Sequence, residues 1–176
     1  MLKDFPTFVP SKVCLGCDGC CRFKETTSTW RPMVTQHEIK QAIGDKTKLV
    51  DKIFSKDNVD EHGYVKAVQR EGICHCTFFN SSDNTCRIYA HRPFECRLYP
   101  FLLMNKDRNI VIGVHLNCPY VQKQYDTNEY FQYVETLKGY FQKQDVLNFI
   151  KENRRLARDY SDYKEEIKDV FTLNIR

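Results

Sequence analysis

The chain has 176 residues, of which 41% are hydrophobic, and a formal net charge of +4. A chain of this length and apolar content can bury one sizeable hydrophobic core. Cysteine bridges are therefore not needed to replace such a core. The mean hydropathy is −0.57 and no apolar run has the length of a secretory signal or a membrane span, so we expect a cytoplasmic protein.

The first ten residues should be irregular, because Pro6 and Pro10 discourage regular structure. The run from Thr35 to Glu38 has a capping-box pattern and predicts a short helix that begins at Thr35 and ends near Gly44. Apolar residues on one face predict a second helical segment from Thr47 to Phe54.

The pattern changes to short β-rich runs from Tyr64 to Leu116. Examples are Tyr64–Val68 and Ile110–Val114, and the clearest turns are Ser81–Asn84 and Asn105–Asn109. This region is predicted to be a small, cysteine-bearing β substructure.

Residues after Pro119 are predicted to be helical to near the end of the chain, in two long helices with a break near residues 143–145. The second of these helices rests on the helical spacing of Leu156, Tyr160, Tyr163, Ile167 and Val170. The predicted fold class is therefore α+β, as one domain over residues 1–176 with a cysteine core at 14–118 and a helical extension at 119–176.

Nine cysteines are the most informative residues of the chain. Four of them lie within eight residues, and five follow much later: Cys14, Cys17, Cys20 and Cys21, then Cys74, Cys76, Cys86, Cys96 and Cys118. In a reducing compartment, clustered cysteines bind metals or act in catalysis more often than they form disulfides, and an odd total leaves one unpaired. The pattern predicts a metal or cluster site that the fold assembles from distant segments.

Two kinds of centre fit this spacing. A structural zinc site commonly uses two pairs of ligands, and either Cys14 with Cys17 or Cys17 with Cys20 supplies only one such pair. The same three cysteines also form a C-x2-C-x2-C run, which is typical of a four-iron cluster with a remote Cys-Pro as the fourth ligand, and Cys118 precedes Pro119. Both alternatives stay open at this point.

Charged and titratable residues surround the later cysteines. The cations of Arg87, Arg92 and Arg97 could stabilise thiolates and offset a negative cluster, or they could be solvated surface residues. His75 and His91 are the histidines placed to be ligands or proton carriers, although ordinary structural roles are favoured. One site of about −2 charge would reduce the net charge from +4 to about +2, and two sites to about zero, so the mild basicity is weak evidence for nucleic acid and we expect no clear nucleic-acid partner. The hydropathy predicts no membrane partner.

Two segments carry a resemblance to a known family: C-x2-C-x2-C-C from Cys14 to Cys21, and residues 76–79 followed by 86–100, which read CTFF and CRIYAHRPFECRLYP. They resemble the YkgJ-type cysteine-cluster family of zinc- or iron-chelating domains. The resemblance implies these metal ligands: Cys14, Cys17, Cys20, Cys21, Cys76, Cys86, Cys96 and Cys118. Cys74 lies outside the motif.

A flagellin lysine methylase has a similar cysteine cluster with a four-iron, four-sulfur centre, so the resemblance implies an iron–sulfur cluster as the preferred cofactor and zinc as the alternative. The protein is then either an enzyme that modifies a protein substrate, for example by methyl transfer, or a non-catalytic metal module that binds a protein partner. The chain lacks a G-x-G-x-x-G turn, and thiol redox chemistry ranks last because no βαβ pattern surrounds the cysteines.

Overall fold

The computed structural model describes residues 5–44 and 53–175. The chain divides into two compact units, which we name the cysteine unit, Pro10–Cys96, and the terminal unit, Met1–Val9 with Arg97–Arg176. Each unit combines helices with small antiparallel sheets, which confirms the α+β class.

The described residues of the cysteine unit form two helices, a three-stranded sheet and a two-stranded hairpin. The elements are α1 (Ser11–Cys14), α2 (Gln36–Gly44), β1 (Arg22–Phe23), β2 (Ala67–Arg70), β3 (Ile73–Cys76), β4 (Phe79–Asn80) and β5 (Thr85–Cys86). The sheet has the order β1-β3-β2, and β4 pairs with β5 around the predicted turn at residues 81–84. A third helix, α3 (Phe94–Leu98), begins in this unit.

The capping box that the sequence predicts is present at the start of α2. The Thr35 amide donates to the Glu38 carboxylate over 2.8 Å, and the Glu38 amide donates to the Thr35 hydroxyl over 3.2 Å. These bonds satisfy amides that the first turn of a helix leaves without partners. The helix runs from Gln36 to Gly44, as predicted. Positions 45–52 of the second predicted helix lie outside the described residues.

The core of the cysteine unit is formed by residues of β1, β3 and β4 and of the segments between the strands. Its buried residues include two cysteines of β3 among large apolar side chains: Phe23, Val34, Ile53, Val59, Val65, Cys74, Cys76, Phe78, Phe79 and Ile88. One end of this core therefore carries thiols into an apolar environment.

The terminal unit is built on an antiparallel sheet of order β6-β7-β8, formed by β6 (Phe101–Lys106), β7 (Asn109–His115) and β8 (Ile167–Leu173). The predicted turn at residues 105–109 is confirmed. Its two central residues, Asp107 and Arg108, have φ angles of 50° and 65°, which is the backbone twist of a type I′ hairpin turn. Three helices follow the hairpin: α4 (Pro119–Gln124), α5 (Asn128–Phe141) and α6 (Gln144–Glu152).

The break between α5 and α6 confirms the predicted interruption, but the helix predicted beyond it ends at Glu152 and its predicted continuation to near the end of the chain is wrong. After α6 the chain forms only single 3₁₀ turns, at Arg154–Leu156 and Ser161–Tyr163, before strand β8 begins at Ile167. Strand β8 pairs with β7, with Lys168 opposite Val114. This long-range pairing supplies the backbone hydrogen bonds that a local helix would otherwise provide. No helix in the described part of the chain has the length and apolar character needed to cross a bilayer.

Residues 5–10 form no regular element, as predicted, yet residues 5–9 pack firmly into the terminal unit. Phe8 contacts aromatic rings edge-on, with centroid distances of 5.6 Å to Phe101 and 5.2 Å to Tyr120. The Tyr133 hydroxyl donates to the Pro6 carbonyl over 2.8 Å. Edge-to-face geometry is the favoured arrangement of aromatic pairs, so this segment is anchored by rings rather than by secondary structure.

Candidate metal centre

A cavity of about 50 Å³ in the cysteine unit brings together seven of the nine cysteines. Apolar residues such as Phe23 and Phe79 form much of its remaining wall. The seven cysteines that line it are Cys14, Cys17, Cys20, Cys21, Cys76, Cys86 and Cys96. The structure therefore assembles every predicted ligand of this unit around one space.

The early cysteines lie on a tight loop. Cys14 is the last residue of α1, and the Cys17 amide donates to its carbonyl over 3.2 Å. Cys20 and Cys21 occupy a 3₁₀ turn, in which the Cys21 amide donates to the Asp18 carbonyl over 3.0 Å. Local backbone hydrogen bonds thus fix the loop that carries four thiols.

The later cysteines come from three separate elements. Cys76 is the last residue of β3, Cys86 lies in β5 directly opposite Phe79, and Cys96 lies in the short helix α3. No two of these three are neighbours in sequence, so only the fold brings them to one cavity.

Two glutamates connect α3, the helix that bears Cys96, to α2 and to the loop that precedes α2. The Phe94 amide, at the start of α3, donates to the Glu38 carboxylate over 2.5 Å, and the Met33 amide donates to the Glu95 carboxylate over 2.5 Å. Glu38 is 8% exposed and Phe94 is fully buried. Sequence reasoning identified Glu38 only as a helix cap and missed this second role, which depends on a contact across 56 residues.

Burial raises the pKa of most of the cavity thiols. It is the largest cause for Cys14, Cys86 and Cys96, and it raises the pKa of Cys76 to about 12. Cys20 is exposed as a residue, but its thiol lies in the cavity, where a hydrogen bond with Cys21, followed by burial, raises its pKa well above the usual value. Metals bind thiolates, so a bound centre needs nearby positive charge and hydrogen-bond donors.

Such donors are present around the sulfurs. The backbone amides of Phe78 and Phe79 hydrogen-bond to the sulfur of Cys76, and the amide of Ile88 bonds to that of Cys86, in each case lowering the thiol pKa. These amides lie two or three residues after their cysteine. The spacing is visible in the sequence, but the direction of each N–H is not.

Arg92 is the cation of the cavity wall. Its Nη1 donates to the Cys14 sulfur over 3.2 Å, and its guanidinium carbon lies 3.8 Å from the ring centroid of Tyr89. The positive charge lowers the pKa of Cys14, Cys20, Cys86 and Cys96 against the effect of burial. The Tyr89 hydroxyl acts in the same direction on Cys14.

The other predicted residues are not among those that line the cavity. Arg87 is exposed and its Nη2 donates to the Thr77 carbonyl, and Arg97 belongs to the terminal unit. Cys118 also belongs to the terminal unit, where it directly precedes α4.

The remaining thiol of the cysteine unit, Cys74, is 5% exposed within the apolar core. His75 stacks on Phe79 at 5.4 Å, and His91 closes a 3₁₀ turn by donating its amide to the Ile88 carbonyl over 2.7 Å. Cys74, His75 and His91 all lie outside the lining of the cavity.

Seven cysteines line the cavity, whereas a structural zinc site uses four ligands. Among the described residues, no three His, Cys, Asp or Glu side chains are gathered in a way that could hold a metal ion. The cavity's lining of thiols supplies the soft ligands that zinc and iron–sulfur centres use.

Comparison with known proteins agrees with this chemistry. Residues 13–131 match the family model CxxCxxCC, described as “Putative zinc- or iron-chelating domain”. An uncharacterized protein of Methanocaldococcus jannaschii is 23% identical over 167 residues, which cover 87% of this chain and 84% of the relative. No solved structure matches the chain significantly.

Proposed function

Because this chain belongs to the CxxCxxCC family of zinc- or iron-chelating domains, we propose that its cavity thiols hold an iron–sulfur cluster of the four-iron, four-sulfur type. Metal binding by zinc or iron chelation is the function of the family as described. The observation that carries the choice of cluster is that all three cysteines of the C-x2-C-x2-C run, Cys14, Cys17 and Cys20, line one cavity with four later or adjacent thiols.

A four-iron cluster takes four cysteine thiolates, so the proposal leaves three of the seven cavity cysteines without iron. Burial favours the neutral thiol and would keep these three protonated. Backbone amides and Arg92 favour the thiolates that do bind, because hydrogen bonds to sulfur stabilise the charged form. When bound, the cluster would supply one-electron transfer or a rigid connection between the elements that carry its ligands.

Methyl transfer to a protein substrate is the catalytic form of this proposal. The cavity is far smaller than the roughly 300–1,000 Å³ of small-molecule sites, so a methyl donor would have to bind outside it. We therefore favour a role in electron transfer or in structure. We also propose a protein partner that contacts the loop of the four early cysteines, because Cys20 on this loop is exposed as a residue although its thiol lies in the cavity.

Purification without oxygen tests the metal assignment. We expect a brown protein with about four iron and four sulfide per chain, as the proposed cluster requires. Cys17→Ser should lower the iron content and the stability together, because metal binding contributes to the folding free energy. Cys74→Ser is the matched control, since this buried thiol lies outside the cavity lining.

A colourless protein with stoichiometric zinc would refute the cluster and establish the zinc-binding structural module. Equal metal content in the wild type and in Cys17→Ser would contradict the assignment of the cavity as the binding site.

A further inference from the structure

Arg92 is held in place on both sides. Its Nη1 bonds to the Cys14 sulfur over 3.2 Å, and its guanidinium plane lies over the ring of Tyr89, with 3.8 Å from Cζ to the ring centroid. Arg92 also lines the cavity, whereas the exposed Arg87 and Arg97 of the terminal unit do not. A fixed cation therefore faces the space in which the proposed cluster would be held.

This placement has a consequence for electron transfer. A four-iron cluster with four thiolates carries about two negative charges, and one further electron makes it more negative. Arginine stays protonated at all ordinary pH values, and net charge and hydrogen bonds to sulfur are among the factors that set a cluster's potential. A cation bonded to a ligand sulfur stabilises the reduced form more than the oxidised form.

On the basis of the proposed function, we propose that Arg92 raises the reduction potential of the cluster held in the cavity. Tyr89 positions the Arg92 guanidinium for this role. In the reduction step, one electron from an external one-electron donor enters the site. No bond forms or breaks and no proton is taken up, because the charge of Arg92 is already present beside Cys14.

A purely structural role for Arg92 makes a different prediction. Stacking on Tyr89 and bonding to Cys14 would then contribute to stability, and replacement would lower the unfolding midpoint without changing the potential. The reduction potential therefore separates the two roles.

The experiment compares wild type, Arg92→Gln, Tyr89→Leu and Arg87→Gln, each purified without oxygen. Iron and sulfide contents are measured first, and each protein is then titrated with dithionite while the cluster spectrum is followed. We expect Arg92→Gln to lower the reduced-to-oxidised ratio at a fixed potential about tenfold, which is 59 mV for a one-electron couple. Tyr89→Leu should lower the ratio by less. Arg87→Gln, the matched control, should match wild type.

Each outcome decides one claim. Wild-type protein without iron and sulfide would overturn the proposed function, and this inference with it. Wild-type protein with a cluster, but with unchanged potentials in both Arg92→Gln and Tyr89→Leu, would overturn the inference alone. If Arg92→Gln retains no cluster, the reduction potential of Tyr89→Leu tests the inference instead. This variant leaves every cysteine and every charge in place, and an unchanged potential in it would overturn the inference.

Discussion

Replacing Glu38 with glutamine should weaken the cysteine unit far more than the loss of one charge at the surface. The Glu38 carboxylate accepts hydrogen bonds from the Thr35 amide and hydroxyl, each over 2.8 Å, and from the Phe94 amide over 2.5 Å. A carboxylate accepts at both oxygens, whereas an amide accepts at one and presents an N–H at the other. In Glu38→Gln, either Thr35 or Phe94 must therefore face a donor.

The magnitude follows from these bonds. A hydrogen bond to a charged group contributes about 1.5–3 kcal/mol, and a neutral bond about 0.5–1.5 kcal/mol. At least one of the three bonds is lost and the others become neutral, so we expect the free energy of unfolding to fall by roughly 3–6 kcal/mol. Because Phe94 begins the helix that bears Cys96, the iron content should fall as well.

Urea unfolding followed by circular dichroism at pH 7 measures this loss, with metal analysis on the same samples. Glu25→Gln is the control: Glu25 is exposed, so the same change of charge should alter the free energy of unfolding by less than about 0.5 kcal/mol. A Glu38→Gln protein that unfolds within 0.5 kcal/mol of wild type would refute the proposed attachment of α3, on the same scale.

Three further changes test the packing and charge of the fold. Gly113→Ala should destabilise the protein by about 1–3 kcal/mol in thermal unfolding, because the added methyl would lie 2.8 Å from Ile167 Cγ2. Gly139→Ala, in α5 with nothing within 4 Å of the new methyl, should instead stabilise it by about 0.5–1 kcal/mol, and a loss of stability would contradict the open space at that position. Burial alone would raise the pKa of Asp60, but hydrogen bonds from the Tyr64 amide and the Arg31 guanidinium outweigh it, so the folded pKa lies below 3.8. The ionised Asp60 carboxylate therefore stabilises the fold above pH 3.8, and this stability is lost as the pH falls through the folded pKa. Asp60→Asn should make the free energy of unfolding less dependent on pH in the acid range. An unchanged pH dependence in this variant would argue against the ion pair with Arg31.

Local patterns in the sequence predicted local structure well. The capping box at Thr35 depends on residues three apart, and the turn around Asp107 depends on a few polar residues, so both were visible without the fold. The helix predicted through Ile167 and Val170 was wrong because helical spacing ignores partners far along the chain. The run of β-favouring residues from Val170 to Thr172 was the available signal for β8.

The candidate site divides in the same way. The cysteine spacing and the family resemblance named all seven cavity thiols as candidate ligands, because residue type and motif position are visible in the sequence. The different positions of Arg92 and Arg87 depend on side-chain direction, and the Glu38 contact with Phe94 depends on tertiary packing. Neither property is encoded in a short motif.

The packing of Phe8 has a consequence for the order in which the protein forms during synthesis. Phe8 leaves the ribosome first, but its ring partner Phe101 follows only after the whole cysteine unit has been made. At 5–20 residues per second, this interval is on the order of 5–20 s. For that time the four early cysteines belong to a segment whose amino-terminal anchor is not yet formed. The nascent chain thus presents all seven cavity thiols before the ring contacts of Phe8 can form.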